Sequence, residues 1–167
     1  MTVTDEQRRE LTERRDRIRA LLMLPRQDRP ASSARGIHHT ALISSDVART
    51  VEFYQGLLGF PLIDMFENRD LPGSTHFFFD VGNGNTIAFF DLPGVDLGPY
   101  AEVLGGLHHL AISMEPQQWQ RVRDRMDAQG VEYLLESGTS IYFRDPDGAR
   151  VELIADPLGE MYGHSVF

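Results

Sequence analysis

Gly36-Ile37-His38-His39-Thr40-Ala41 is matched, 70 residues further along the chain, by Gly106-Leu107-His108-His109-Leu110-Ala111. The chain has six His among its 167 residues, and four of them lie in these two hexapeptides. Two copies of one motif indicate a duplicated supersecondary unit, because a solenoid would need at least three copies. The repeat therefore predicts two similar modules within one domain.

The predicted elements follow in the same order after each hexapeptide. The first module begins with a strand at about 36–44 and a helix over 47–58, which Asp46 caps and Gly59 ends. Its remaining strands are predicted at 60–66, 75–81 and 86–91. The second module has a helix over 116–129 and strands at about 106–114, 131–136, 139–144 and 149–155. Each module, about 36–92 and 106–156, is therefore βαβββ, and the predicted class is α+β.

Residues 1–35 are predicted to form an N-terminal helical arm and linker ahead of a main domain over 36–160. The stretch 4–23 is rich in Glu, Gln, Arg and Leu, and its apolar residues recur at roughly helical spacing. We expect a helix whose narrow stripe of Leu11, Ile18 and Leu22 packs on its own domain or on a second subunit.

The composition argues against several kinds of partner. The net charge is −9, which disfavours nucleic acid because phosphate binding needs a basic surface. No apolar run approaches the length of a membrane span, and the absence of Cys removes disulfides and thiolate metal ligands. We therefore expect a cytoplasmic protein with no nucleic-acid or membrane partner.

Strand geometry distinguishes the two His of each doublet. Adjacent residues on a strand point to opposite faces, so at most one His of a pair can enter a shared site. In the second module the face of His108 is otherwise apolar, whereas Ala111 and Ser113 share the smaller, more polar face of His109. The polar face is expected to line a cavity, which selects His109 and, by the repeat, His39.

Glu152 is the candidate third ligand. It follows the turn Asp145-Pro146-Asp147-Gly148, and its neighbours Val151 and Leu153 can pack on the helix side. Two imidazoles and one carboxylate are the donors that a catalytic Zn or a non-haem Fe(II) centre requires. A structural interpretation exists for each residue, since a strand His is commonly hydrogen-bonded in place and Glu152 can pair with Arg150. Repetition at equivalent positions favours the metal site, with the other His of each doublet outside it.

With these residues assembled, the chain resembles the vicinal oxygen chelate superfamily over about residues 36–156. That superfamily contains glyoxalases, bleomycin-resistance-type proteins, methylmalonyl-CoA epimerases and extradiol ring-cleavage dioxygenases. The resemblance rests on the two His strands, on Phe-Tyr-x-x-Leu-Leu-Gly-Phe at 53–60 and, most specifically, on Ile-Tyr-Phe-Arg-Asp-Pro-Asp-Gly-Ala-Arg-Val-Glu at 141–152. It implies two βαβββ modules that form an open eight-stranded cup with a divalent metal inside.

The resemblance also implies a ligand set of His39, His109 and Glu152. Relatives with four protein ligands place Glu or Gln on the last strand of the first module, and aligning the turns of the two modules puts Ala88 there. Because Ala cannot bind a metal, the resemblance implies three protein ligands with vacant positions for substrate. That is the facial-triad pattern of Fe(II) oxygenases.

Two further residues are candidates for catalysis. Tyr142 matches the Tyr of the extradiol signature that hydrogen-bonds a substrate oxygen, although a core aromatic fits the same strand position. The signature also has a His several residues before this Tyr, which the chain lacks at 133–135, and an acid–base His that it lacks at 86–91. His76 has the strand parity of Phe78, the repeat partner of Tyr142, and is a candidate proton shuttle or a structural residue.

These residues predict a metal-dependent enzyme. We expect a non-haem Fe(II) dioxygenase that acts on a small aromatic or enolisable substrate with two neighbouring oxygens. One alternative is an isomerase or lyase of the glyoxalase or epimerase type that uses Zn, Ni, Co or Mn, and another is a drug-binding protein without catalysis. The expected partner is a small molecule in each case, and the expected assembly is a homodimer.

Overall fold

The computed structural model describes residues 3–167, which fall into two compact units that divide between Arg35 and Gly36, with Phe167 assigned to the first. The N-terminal unit contains helix α1, Asp5–Leu22, and a 3-10 turn, Arg26–Asp28. Thr4 begins α1 with a capping box, because its hydroxyl accepts from the Gln7 backbone and the Gln7 side chain accepts from the Thr4 backbone. The predicted helix is confirmed. None of its residues is buried, so the surface that its apolar stripe covers stays a prediction.

The second unit, Gly36–Val166, contains both modules. The elements of the first module are β1 (His39–Ser44), α2 (Val47–Val51), β2 (Leu62–Glu67), β3 (Thr75–Asp80) and β4 (Thr86–Asp91). Those of the second module are β5 (Leu110–Ser113), α3 (Pro116–Gln129), β6 (Leu134–Glu136), β7 (Ser140–Arg144) and β8 (Arg150–Ile154). A hairpin of two short strands, β9 (Glu160–Met161) and β10 (His164–Ser165), follows and was not predicted.

Each module forms one four-stranded sheet with the same topology. The strand order is β1-β4-β3-β2 in the first sheet and β5-β8-β7-β6 in the second. In both sheets the first strand pairs with the last strand in parallel, and the other neighbours are antiparallel. The predicted α+β class with two open βαβββ modules is confirmed.

The helix of the first module departs from the prediction of a single α-helix. After Val51 it continues as a π-helix over Glu52–Leu57, in which the Leu58 amide donates to the Phe53 carbonyl five residues back. Asp46 caps its start as predicted, by accepting from the Arg49 amide. Tyr54, Leu57 and Leu58 of this segment are all buried in the core.

One core joins the two modules. It contains the inward side chains of both sheets, such as Phe89 and Leu153, together with Tyr54 and with Trp119 and Met126 of α3. Because each sheet uses one face for this common core, its other face, called here the open face, points away from the core. The open faces of the two sheets are therefore turned away from each other within the chain.

Polar contacts at the Asp145–Gly148 turn tie the modules together. Asp145 accepts from the Tyr54 hydroxyl at 3.1 Å, and both residues are buried. Asp147 accepts from the Ser45 amide at 3.0 Å and pairs with Arg49 at 2.9 Å. Throughout residues 3–167, none of the helices combines the length and the apolar composition that a membrane crossing demands.

Candidate metal centre

His109 and Glu152 meet on the open face of the second sheet. His109 directly precedes β5, and Ala111, two residues on, lies beside Glu152 in the parallel pairing of β5 with β8. The His109 Nε2 atom lies 3.1 Å from Glu152 Oε2. Two ligand atoms that each lie about 2.1 Å from one metal at a right angle are about 3.0 Å apart, so this spacing fits a shared divalent ion.

Side chains alternate between the two faces of β8 around Glu152, as the sequence predicts. Val151 and Leu153 are fully buried in the common core, as predicted, while Glu152 turns to the open face. Glu152 is nevertheless 94% shielded, with 6% exposed. The Ser140 hydroxyl donates to its Oε1 atom, which leaves Oε2 for His109. Sequence reasoning missed Ser140, although its place two residues before Tyr142 on the same strand gives it the same face.

Tyr142 lies beside this pair. It is opposite Glu152 in the pairing of β7 with β8, and its ring centroid is 5.5 Å from that of His109. Burial, and then a hydrogen bond with Glu152, raise the pKa of the Tyr142 hydroxyl, so this phenol keeps its proton at neutral pH. The hydroxyl is thus a hydrogen-bond donor next to the candidate ligands, and Glu152 is its partner within the chain.

His39, the third candidate ligand, lies on the other sheet. It begins β1, and the burial pattern of that strand turns His39 and Ala41 to the open face, as the parity argument predicted. Among residues 3–167 no three side chains of His, Asp or Glu are grouped to hold one metal ion. One chain therefore brings together His109 and Glu152 but not His39, and the predicted three-residue site is not assembled within it.

His76 lies on the same open face as His39, among aromatic rings. It stacks on Phe90 with ring centroids 3.8 Å apart, and it also contacts Phe66 and Phe78. Burial, and then the nearby His39, lower the pKa of His76, which favours the neutral ring. Its Nε2 atom is buried and has no hydrogen-bond partner within the described part of the chain.

Ala88 occupies the position that corresponds to Glu152. It pairs with Ala41 and Phe78 in the first sheet, just as Glu152 pairs with Ala111 and Tyr142 in the second. The alignment of the two modules on their turns is therefore correct in register. No carboxylate or amide stands at this position of the first sheet.

A cavity of about 820 Å³ adjoins the His109 half of the site, and all its lining residues come from the second module. Tyr142 and His108 line it, together with Arg144 and Arg150. Arg150 does not pair with Glu152. It pairs instead with Glu102 of the segment between the modules, at 2.6 Å.

The chain is similar to known proteins over the two modules. A family model described as the Glyoxalase/Bleomycin resistance protein/Dioxygenase superfamily matches residues 36–153. MhqA of Bacillus subtilis (strain 168), named as a ring-cleaving dioxygenase, is 28% identical in a 142-residue alignment that covers 77% of this chain and 42% of MhqA. The metallothiol transferase FosB of Shouchella clausii (strain KSM-K16) is 29% identical in a 136-residue alignment that covers 77% of this chain and 86% of FosB. This chain thus spans less than half of MhqA but most of FosB.

A solved structure agrees with these relatives. The fosfomycin resistance protein FosX of Listeria monocytogenes superposes with a TM-score of 0.55 and 28% identity, over 76% of this chain and 95% of FosX. The family match covers well over half of the chain and begins and ends with the two modules. This protein therefore belongs to the glyoxalase, bleomycin resistance protein and dioxygenase superfamily, and its two sheets have the vicinal oxygen chelate fold.

Proposed function

We propose that this protein is a metal-dependent dioxygenase that acts on a small aromatic or enolisable substrate with two neighbouring oxygens. The observation that carries the proposal is the pairing of His109 with Glu152 at 3.1 Å, with Tyr142 beside them. A related fosfomycin resistance protein, FosX of Listeria monocytogenes, has been solved with Mn(II), and the similarity to MhqA favours oxygen-dependent ring cleavage among the reactions of the superfamily.

The proposal includes a homodimer that completes the ligand set. His39 of one copy would join His109 and Glu152 of the other when the open face of the first sheet meets the open face of the second. Exposed apolar side chains support such a contact, since Ile43 and Phe66 on one open face and Leu134 on the other are 46%, 47% and 58% exposed. A dimer with twofold symmetry would contain this contact twice and hence two sites.

Ala88 favours a dioxygenase over a glyoxalase-type enzyme. With no carboxylate or amide at this position, the site has three protein ligands, and an octahedral metal keeps about three positions for small molecules. A substrate with two neighbouring oxygens and dioxygen together need that number. A bound divalent metal supplies Lewis acidity and, if it is iron, redox chemistry with dioxygen.

The side chains around the site have separate tasks in this proposal. Glu152, fixed by the Ser140 hydroxyl, is held in one rotamer, so that its Oε2 atom faces His109. Tyr142 donates its hydroxyl proton in a hydrogen bond to a substrate oxygen. His76, a neutral imidazole with an unpartnered Nε2 atom, accepts or returns a proton on the opposite wall. The aromatic rings around His76 exclude water and suit an apolar substrate.

Oxygen uptake tests the proposal. Protein purified anaerobically is analysed for metal, loaded separately with Fe(II), Mn(II) and Zn(II), and mixed with a panel of catechols. We expect the Fe(II) form to consume dioxygen with at least one of them, and His109→Ala to consume none. Activity of the Zn(II) or Mn(II) form without dioxygen, together with an inactive Fe(II) form, would instead support an isomerase or lyase.

A thiol transferase is the second candidate. The observation behind it is the share of each relative's length that this chain matches, which is 86% of FosB but only 42% of MhqA. FosX, the solved relative, is a fosfomycin resistance protein. Loss of free thiol from a mixture of Mn(II)-loaded protein, a small thiol and fosfomycin would favour this candidate, and an unchanged thiol concentration would remove it.

A further inference from the structure

Both His doublets have the same side-chain geometry. The Nδ1 atoms of His38 and His39 are 2.9 Å apart, and those of His108 and His109 are 2.7 Å apart. The rings meet edge to face in both pairs, with interplanar angles of 78° and 76°. The same contact therefore occurs at both places where the fold presents a candidate ligand, although the surroundings of the two doublets differ.

This contact decides which ring atom of His109 faces Glu152. A half-turn of the imidazole about its Cβ–Cγ bond exchanges Nδ1 with Cδ2 and Nε2 with Cε1. In the observed orientation Nδ1 faces His108 and Nε2 faces Glu152, so the ring is held at both ends. The half-turned ring would direct a carbon at Glu152 and lose the partner at His108.

Neighbouring groups hold His108 in turn. Arg150 Nη1 lies 3.1 Å from His108 Nε2, and Arg150 pairs with Glu102 at 2.6 Å. The Tyr100 hydroxyl donates to the carbonyls of Leu107 and His108, at 2.6 and 3.1 Å, which fixes the backbone of the doublet. The segment between the modules thus supports the site through His108.

The direction of the hydrogen bonds follows from Arg150. A guanidinium only donates, so His108 Nε2 accepts and the His108 proton lies on Nδ1. This proton is donated to His109 Nδ1, and His109 Nε2 donates to Glu152. A ligand nitrogen at His109 Nε2 needs the His109 proton on Nδ1 instead, and His108 Nδ1 is placed to accept it. His108 would then carry its proton on Nε2, which lies 3.9 Å from Glu102 Oε2.

We propose that His108 is a positioning residue that selects the ring orientation of His109 and accepts its Nδ1 proton when Nε2 serves as the ligand, and that His38 holds the ring of His39 in the same way. The inference rests on the proposed metal site. Second-sphere partners of ligand His are normally carboxylates, carbonyls or water, and their loss typically costs 10–100-fold in metal affinity. Here the imidazole of the residue that precedes the ligand in the sequence has that role.

Zn²⁺ titration by calorimetry tests the inference with two matched variants. His108→Phe keeps a ring but removes both nitrogens, whereas His108→Asn keeps a polar atom at the position of Nδ1. We expect the Phe variant to bind Zn²⁺ at least about tenfold more weakly and the Asn variant to stay within a few-fold of wild type. Wild-type affinity in His108→Phe, or an equal loss in both variants, would overturn the positioning role.

Nitrogen-15 spectra of the metal-free protein provide a second measurement that a merely structural role would not change. Wild type should show the His109 proton on Nε2, and His108→Phe should show a mixture of tautomers. An unchanged His109 tautomer in that variant would also overturn the inference. His164→Phe, on the tail hairpin, is the control with wild-type Zn²⁺ affinity. If His109→Ala and Glu152→Ala leave Zn²⁺ binding intact, the proposed site itself fails, which is a separate outcome.

Discussion

The role of Tyr142 can be tested directly, because its hydroxyl lies beside Glu152 but is not itself a candidate metal ligand. Replacing Tyr142 by Phe removes one oxygen and leaves the ring that packs against His109. We expect the variant to retain its full metal content and to turn over about 10²-fold more slowly, the typical loss for a missing proton donor. Metal analysis and steady-state oxygen uptake on one preparation measure both quantities.

Ser140→Ala is the matched control for that variant. It also removes a hydroxyl next to Glu152, in this case the one that donates to the Oε1 atom of the carboxylate. We expect Ser140→Ala to lose metal affinity first. Wild-type turnover in Tyr142→Phe with an active substrate would exclude Tyr142 from the mechanism.

Asp145 links the stability of the fold to pH. Burial raises the pKa of this carboxyl, and three hydrogen bonds to it lower the pKa. Burial is the larger effect, so the pKa lies above its usual value. Between the ordinary pKa of the unfolded chain and the raised pKa of the folded protein, the folded state binds the proton more tightly. A falling pH therefore stabilises the fold through this group, by about 1.4 kcal/mol for each unit of pKa difference, and the gain is lost as the pH rises above the raised pKa.

Asp145→Asn does not titrate, so it isolates this effect. The free energy of unfolding of wild type, minus that of the variant, should increase as the pH is lowered through the acid range. Urea unfolding at a series of pH values measures the difference. A difference that stays constant with pH would contradict the assignment to Asp145.

At the scale of elements, β4 and β8 are equivalent strands of the two modules and differ at one decisive position. Ala88 stands in β4 where Glu152 stands in β8, and both lie beside the strand that follows a His doublet. Ala88→Glu should therefore give the first sheet a carboxylate beside His39. In the proposed dimer this carboxylate would be a fourth ligand, and we expect metal affinity to rise about tenfold, or 1.4 kcal/mol, while oxygen-dependent turnover falls.

Ala88→Leu controls for the added volume, since Ala88 is fully buried and either side chain must displace its neighbours. Thermal unfolding of both variants separates packing strain from the effect of the ligand. If Ala88→Glu and Ala88→Leu change metal affinity and turnover equally, Ala88 does not face the metal.

The periodicity of the apolar residues and the positions of Gly and Pro were sufficient to predict most elements. The strand β4 and the helix α3 have the bounds that the sequence indicates, because Gly84 and Pro116 mark sharp local starts. The π-turn after Val51 was not predictable, since a π-turn and an α-turn bury the same apolar residues with a small shift in register. The hairpin after Pro157 lacks an alternating apolar pattern and gives no strand signal.

At the scale of the whole molecule, strand parity predicted which face each ligand would occupy but not which sheets would face each other. His39, His109 and Glu152 all lie on open faces, as their neighbours in the sequence indicate. Whether two open faces meet inside one chain depends on how the helices pack. Tyr54, Trp119 and their neighbours form one core between the modules, and this long-range packing has no local sequence signature.

Subunit mixing tests the proposed homodimer. His39→Ala and His109→Ala each remove one ligand, so each homodimer should bind metal weakly and be inactive. In a mixed dimer, one site draws its His39 from the His109→Ala chain and its His109 and Glu152 from the other chain, and this site is intact. The second site lacks both His. With random exchange, half of the dimers are mixed and half of their sites are restored, so about a quarter of wild-type sites should return.

The readouts are tight metal binding and oxygen uptake after the two variants are mixed, partly unfolded in urea and refolded together. Two His109→Ala preparations treated in the same way are the control, because they should recover nothing. Recovery near a quarter would establish that each site takes ligands from two chains. If the mixture recovers nothing although wild type refolds fully, and both variants still dimerise, the ligands do not come from two chains. His39 must then either reach His109 within its own chain or lie outside the metal site.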